Sequence, residues 1–414
     1  MKKKKWILNR ILFGVVLGIF SGVVICLYRF LISLCDKILN ECIFPLAHGN
    51  NPAILAAWGG ILVFLAWLVY RILRFEPDAA GGGIPHAVNE IKGTSDSKWW
   101  SVLLAKITTA PLCILAGFSL GKTGPSIELG CMSGKGVHRI SNRIFPNRNF
   151  LLSAKELCRS GAGAGLSALF NAPVSGILFV REKLSAKDDK SIITIAIASL
   201  TAYFVSVSVF GLAPIVDISI PIIKWEYYPA FALLGVLLGI LGKFYSESLR
   251  FFTAHMAENK KASRKIMWIL LFLLAGIIGY FFPDITGGGS LMISRVMDNS
   301  TIFSTLLFLL LGKYLFSMIS SGSGLPGGTV YPLLTVGACL GKIYGTVLCW
   351  LFPSLSFSPA FFILGGMAGF FTSVMGAPLT GIFLMFEFSL HYTNLLPLSV
   401  ICLFSHLTVK RIFR

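Results

Sequence analysis

The sequence predicts an all-α polytopic membrane protein made of two related halves. Three observations predict it. Only 13% of the 414 residues are charged while 55% are hydrophobic, whereas soluble domains carry about 25% charged residues. The apolar residues gather in runs spread from end to end, several near the roughly 20 residues that cross a bilayer as a helix. A motif-bearing stretch of the first half returns, in the same order, in the second.

The apolar runs include Ile11–Cys26, Ala53–Leu73, Tyr228–Gly242, Ile266–Phe282 and Leu395–Val409. The first could pass for a signal peptide, but it lacks a small-residue cleavage site and leads into further spans, so it reads as a retained helix. The formal net charge is +18. Lys and Arg sit in tails and short loops, where they set topology and meet anionic lipid headgroups. No basic patch with interleaved aromatics occurs, so nucleic acid is not an expected partner. Met1-Lys2-Lys3-Lys4-Lys5 at one end and Lys410-Arg411 with Arg414 at the other place both termini in the cytoplasm. The nine cysteines lie mostly in apolar runs with no CxxC pair, and read as small buried hydrophobes rather than disulfides or metal ligands. The six histidines are scattered and form no ligand cluster along the chain. No HExxH or GxSxG motif supports an enzyme.

The repeat is explicit. Pro77-Asp78-Ala79-Ala80-Gly81-Gly82-Gly83 returns as Pro283-Asp284-Ile285-Thr286-Gly287-Gly288-Gly289. Asn171-Ala172-Pro173-Val174-Ser175-Gly176 returns as Gly376-Ala377-Pro378-Leu379-Thr380-Gly381, and Glu182 and Glu387 follow at corresponding places. The halves are therefore residues 1–210 and 211–414. Repeated halves are a transporter or channel signature, with the substrate site at their interface. The equivalent placing of Glu182 and Glu387 predicts a structural role at helix ends.

Three short segments are too broken for spanning helices: Gly81-Gly82-Gly83-Ile84-Pro85, Gly121-Lys122-Thr123-Gly124-Pro125-Ser126, and Gly322-Ser323-Gly324-Leu325-Pro326-Gly327-Gly328-Thr329. In each, glycine permits an unusual backbone just before a helix, and proline suits a first turn. Irregular backbone at membrane depth is tolerated inside protein or beside a water-filled cavity. A helix starting there leaves N–H groups unpaired, with a partial positive charge of about half a unit. Several converging would hold an anion without binding it too tightly to release it. Glycines also serve close helix packing, so each motif alone stays open to that reading.

These motifs resemble those of the CLC family, the voltage-gated chloride channel family of chloride channels and chloride/proton exchangers. Gly81–Pro85 resembles its GSGIP motif, Gly121–Pro125 its G(K/R)EGP motif, and Gly327–Pro332 its GGxFxP motif. Both Ala-Pro segments, Phe170–Glu182 and Met375–Glu387, also fit, and the likeness covers nearly the whole chain. The resemblance implies two inverted-topology repeats of tilted helices, a homodimer with a pore in each subunit, and the bacterial plasma (inner) membrane. It implies bound chloride or another halide as the only small ligand. The central anion would lie against Gly82, Gly83, Ile84, Pro85, Thr329, Val330 and Tyr331. The outer, gate position would lie against Lys122, Thr123, Gly124 and Pro125, and Lys106 would add positive potential, unless Lys106 and Lys122 merely balance Glu128 or headgroups.

The departures shape the functional expectation. The gating glutamate of G(K/R)EGP is Thr123, which does not titrate usefully. The inner proton glutamate is Lys183. The serine of GSGIP is Gly82, and the aromatic of GGxFxP is Val330. The inner tyrosine would fall past Arg414, as would a cytoplasmic regulatory domain. The expectation is therefore passive, uncoupled conduction of chloride or related small anions. Proton-coupled exchange through substitute acids such as Glu128, and a non-transporting protein that keeps the fold, are the alternatives. Glu128 itself reads first as a partner of a nearby Lys or Arg, with a role as substitute acid left open.

Overall fold

The computed structural model describes residues 2–48, 52–146, 152–184, 191–220, 225–257, 261–298, 300–353 and 358–412. Met1 and Arg414, cited above for the placing of the termini, lie outside these residues. The described chain is helical, and its one β-type contact is an isolated antiparallel bridge between Gly121 and Gly328.

The first half contains α1 (Lys2–Lys37), α2 (Phe44–His48), α3 (Pro52–Phe75), α4 (Ile84–Lys92), α5 (Trp99–Leu115), α6 (Thr123–Ile144), α7 (Ala154–Phe170), α8 (Pro173–Lys183) and α9 (Ile192–Phe210). The second contains α10 (Tyr228–Ala257), α11 (Lys261–Phe281), α12 (Ser290–Met297), α13 (Phe303–Gly322), α14 (Val330–Leu351), α15 (Phe361–Met375), α16 (Pro378–Ser389) and α17 (Leu395–Ile412). Eight stretches among the described residues are long and apolar enough to cross a membrane. Each apolar run named from the sequence falls on one of these helices, apart from Phe282, which follows α11. The protein is an integral membrane protein of two inverted-topology repeats.

The repeat is visible in the packing. In the first half α6 meets α7 through glycines: a Cβ on Gly130 would lie 2.1 Å from the Gly161 carbonyl. In the second, α14 meets α15 the same way, and a Cβ on Gly341 would lie 2.0 Å from the Phe362 carbonyl. Small residues let backbones approach where lipid provides no hydrophobic drive between helices.

Glu182 and Glu387 tie the halves together. The Glu387 carboxylate accepts from the N–H groups of Val174 and Ser175, both at 2.9 Å, at the start of α8. Glu182 accepts from the N–H groups of Leu379 at 2.9 Å and Thr380 at 2.8 Å, at the start of α16. Each acid thus neutralises the positive end of the other half's helix. The structural role expected at helix ends is what these contacts show.

Candidate anion and proton site

The three glycine segments meet at one place. Gly121 and Gly328 exchange two backbone hydrogen bonds, each 2.6 Å. The Gly81 N–H donates to the Gly324 carbonyl at 2.9 Å, and the Gly327 N–H to the Gly81 carbonyl at 3.3 Å. Helices α4, α6 and α14 therefore begin side by side. Pro85, Pro125 and Pro332 each stand in a first turn, where no N–H is needed. The first intrahelical bonds are Ala87 N–H to Gly83, Ser126 N–H to Lys122 and Leu333 N–H to Thr329. The N–H groups of Ile84, Thr123, Gly124, Val330 and Tyr331 precede them and have no backbone acceptor among the described residues, as helix starts require.

Gly83 and Gly124 show why glycine is needed at these positions. Gly83 has φ +83°, and a Cβ there would lie 2.7 Å from both the Gly124 carbonyl and Glu128 Oε2. A Cβ on Gly124 would lie 1.9 Å from the Gly82 carbonyl. Gly82 is different: among the described residues its Cβ position meets only the Gly327 carbonyl, at 3.7 Å, which leaves room for a small side chain.

The other positions singled out by sequence distribute around this junction. Thr123 is buried, and its hydroxyl finds no hydrogen-bond partner among the described residues. Val330 is fully buried. Tyr331 is buried, stacks on Phe170 at 6.1 Å between ring centroids, and carries the Lys122 ammonium 5.1 Å above its ring. Lys183 stands at the end of α8, its Nζ 3.8 Å from the Cβ position of Gly376, away from the three glycine segments.

One turn into α6, Glu128 is fully buried. Lys106 of α5, equally buried, places Nζ 2.8 Å from Glu128 Oε2 and donates to the Gly81 carbonyl at 3.0 Å. His86 of α4 places Nδ1 2.6 Å from Glu128 Oε1. The pairing of Glu128 with a lysine matches the sequence reading, but Lys106 also holds the first glycine segment. Its counterpart in the second half is Lys313, which donates to the carbonyls of Ile285, Thr286 and Gly287 at 2.9–3.2 Å.

Sequence reading passed over His86, Lys313 and Glu90. His86 and Glu90 are four residues apart on α4, on one helical face. Lys313 follows from Lys106 through the repeat. Those two spacings were the available signals.

The sequence profile described as "Voltage gated chloride channel" matches residues 60–410. The chain belongs to that family, whose members move ions rather than catalyse reactions. It is similar to the H(+)/Cl(-) exchange transporter ClcA of Vibrio parahaemolyticus, with 30% identity over 95% of this chain and 85% of that one. The ClcA of Salmonella paratyphi B is 30% identical over 97% of this chain and 86% of its own length. Among solved structures, a slow cyanobacterial Cl−/H+ antiporter superposes with a TM-score of 0.86 at 23% identity, covering 99% of this chain and 95% of that chain. A CLC-type fluoride/proton antiporter gives 0.78 at 19% identity, over 96% and 94%.

These comparisons overturn the expectation of passive, uncoupled conduction, since the similar proteins are exchange transporters and antiporters. The physical reason the departures misled is local. Replacing one carboxylate by Thr123 leaves another, Glu128, buried a turn away at the same helix start.

Proposed function

We propose that the protein is a proton-coupled exchanger of chloride or a related small anion. The anion lies between the starts of α4, α6 and α14, held by N–H groups around Gly82, Gly83, Ile84, Thr329, Val330 and Tyr331, with Lys122, Thr123 and Gly124 on the outer approach. Glu128 is the substitute acid. Its burial between Lys106 and His86, against Gly83 at the start of α4, is the observation that carries this reading. An acid there binds a proton in the same space whose electrostatics bind the anion, which is the requirement for coupling them. Lys106 keeps the carboxylate affordable in the apolar interior and the Gly81 loop in place.

The same reading makes residues 1–210 and 211–414 the repeats, a homodimer the working unit, and a bacterial inner membrane its place. The ends of α3 (Arg71, Arg74), α6 (Arg139, Arg143) and α17 (Lys410, Arg411) carry the cations that define the cytoplasmic face, with both termini on it.

The test is flux from purified protein in liposomes. Wild type should move protons and anions together, and Glu128→Gln should lose proton movement while anions still pass. Proton movement undiminished in Glu128→Gln would remove Glu128 from the mechanism.

A further inference from the structure

Glu128 is buried, so its proton must arrive through other groups. The structure holds a chain of hydrogen-bonded side chains that does this. His86 bridges two partners, with Nδ1 2.6 Å from Glu128 Oε1 and Nε2 2.9 Å from Ser97 Oγ. The Ser97 hydroxyl donates to Asp78 Oδ2 at 2.5 Å. Asp78 is solvent-exposed and follows the basic end of α3. An unbroken line of titratable or hydroxyl groups thus runs from the charged face to the anion-site loops.

We infer that Asp78, Ser97 and His86 form a proton wire to Glu128; this rests on the exchanger reading above. Protonated Asp78 gives its proton to Ser97 Oγ as the Ser97 proton passes to His86 Nε2. The Nδ1 proton of His86 then moves to Glu128 Oε1. One proton leaves Asp78 and one reaches Glu128, with no net change at Ser97 or His86 except the ring's tautomer. A tautomer shift that returns the ring proton from Nε2 to Nδ1 resets it. Histidine suits the place because each ring nitrogen can take or give a proton.

The surroundings position the wire. Glu90 Oε1 accepts from the Ser97 N–H at 2.7 Å and lies 3.6 Å from His86 Nε2. Lys135 donates to Glu90 Oε2 at 2.6 Å and to the Ser97 carbonyl at 2.7 Å, fixing the loop that carries the serine. The charged and titratable groups around Glu128 are Lys106 from α5, His86 from α4, Tyr28 from α1 and Cys131 on its own helix. Among the described residues, Lys106 and Cys131 donate to backbone carbonyls and the Tyr28 hydroxyl has no hydrogen-bond partner, so no path to an exposed acid runs through them. Asp96 is exposed on the same face, but it pairs with Lys135 at 2.8 Å and Arg139 at 2.7 Å.

The experiment measures the proton-to-anion ratio in liposomes for wild type, Glu128→Gln, His86→Gln, Ser97→Ala, Asp78→Asn and Asp96→Asn. The ratio should fall about tenfold or more in His86→Gln, Ser97→Ala and Asp78→Asn, and stay at the wild-type value in Asp96→Asn. Asp78 is exposed, so its variant reports even if the His86 variant does not fold. A ratio lost in Glu128→Gln but retained in Ser97→Ala and Asp78→Asn would overturn the wire and leave the exchanger reading standing. Loss in Asp96→Asn equal to that in Asp78→Asn would overturn the assigned entrance. Wild-type protein that passes anions with no coupled protons would overturn both readings.

Discussion

Removing the Lys106 ammonium is the perturbation whose outcome the structure constrains most closely. Lys106 and Glu128 are both fully buried, 2.8 Å apart, and among the described residues the only other close charged partner of Glu128 is His86. Taking away one member of a buried pair strands the other, at a cost of about 3–5 kcal/mol. Lys106→Met keeps the volume and the apolar stem but also removes the donor to the Gly81 carbonyl. Glu128→Gln leaves the ammonium with that carbonyl still to bond, so it should cost less. In the double variant neither charge is stranded, and only the bond to Gly81 is lost. The two single costs should therefore exceed the double cost by about 2 kcal/mol or more, near the upper part of the range for contacting residues. The assay is a double-mutant cycle of reversible denaturant unfolding in mixed micelles, with anion binding measured by calorimetry on the same samples. Single costs that add to within about 0.5 kcal/mol would refute the pairing.

Other predictions follow from the same geometry. Gly124→Ala forces a Cβ within 1.9 Å of the Gly82 carbonyl, and should destabilise by more than about 4 kcal/mol, read as loss of the monodisperse protein. Gly82→Ser, with its nearest contact at 3.7 Å, should fold normally and tighten anion binding through the added hydroxyl, visible by calorimetry. Thr123→Glu puts a carboxylate at the α6 start, where it competes with the anion; flux should fall near neutral pH and recover on acidification. Lys183→Glu alone should leave the proton-to-anion ratio unchanged, since Lys183 stands apart from the glycine segments. Glu387→Gln and Glu182→Gln should each cost about 1–2 kcal/mol, and by similar amounts, because each caps the other half's helix. Lys135 and Arg139 hold the exposed Asp96 carboxyl below the usual carboxylate range. A depressed folded value means this contribution is present above the unfolded pKa and lost as pH falls through the folded one. Asp96→Asn should flatten that acid-side loss in a thermal melt.

Much of the fold was readable because membrane constraints are severe. Long apolar runs had to be helices, and the repeated Pro-Asp and Ala-Pro segments marked the halves. The glycine-proline segments were readable as helix starts because no other common residues take those backbone shapes so readily. That the three starts lie side by side is a matter of packing between distant segments, and the Gly121–Gly328 bridge joins residues no local pattern links. The proton chemistry was the least readable part. Sequence reading looked for acids at the family's two motif positions and found Thr123 and Lys183. Glu128 was visible but was weighed alone, and the scattered histidines gave no reason to place His86 beside it. Their contact depends on how α4 crosses α6, a crossing set by Gly83 and Gly124 rather than by any spacing between residues 86 and 128.

The most direct measurement of the central claim is uphill proton movement by wild-type protein. Liposomes carry a chloride gradient, equal pH on both sides, and a clamped membrane potential, with pH and chloride recorded together. The account predicts that chloride running down its gradient drives protons the opposite way, building a pH difference that Glu128→Gln does not build. Rapid chloride movement with no pH difference in wild type would contradict it.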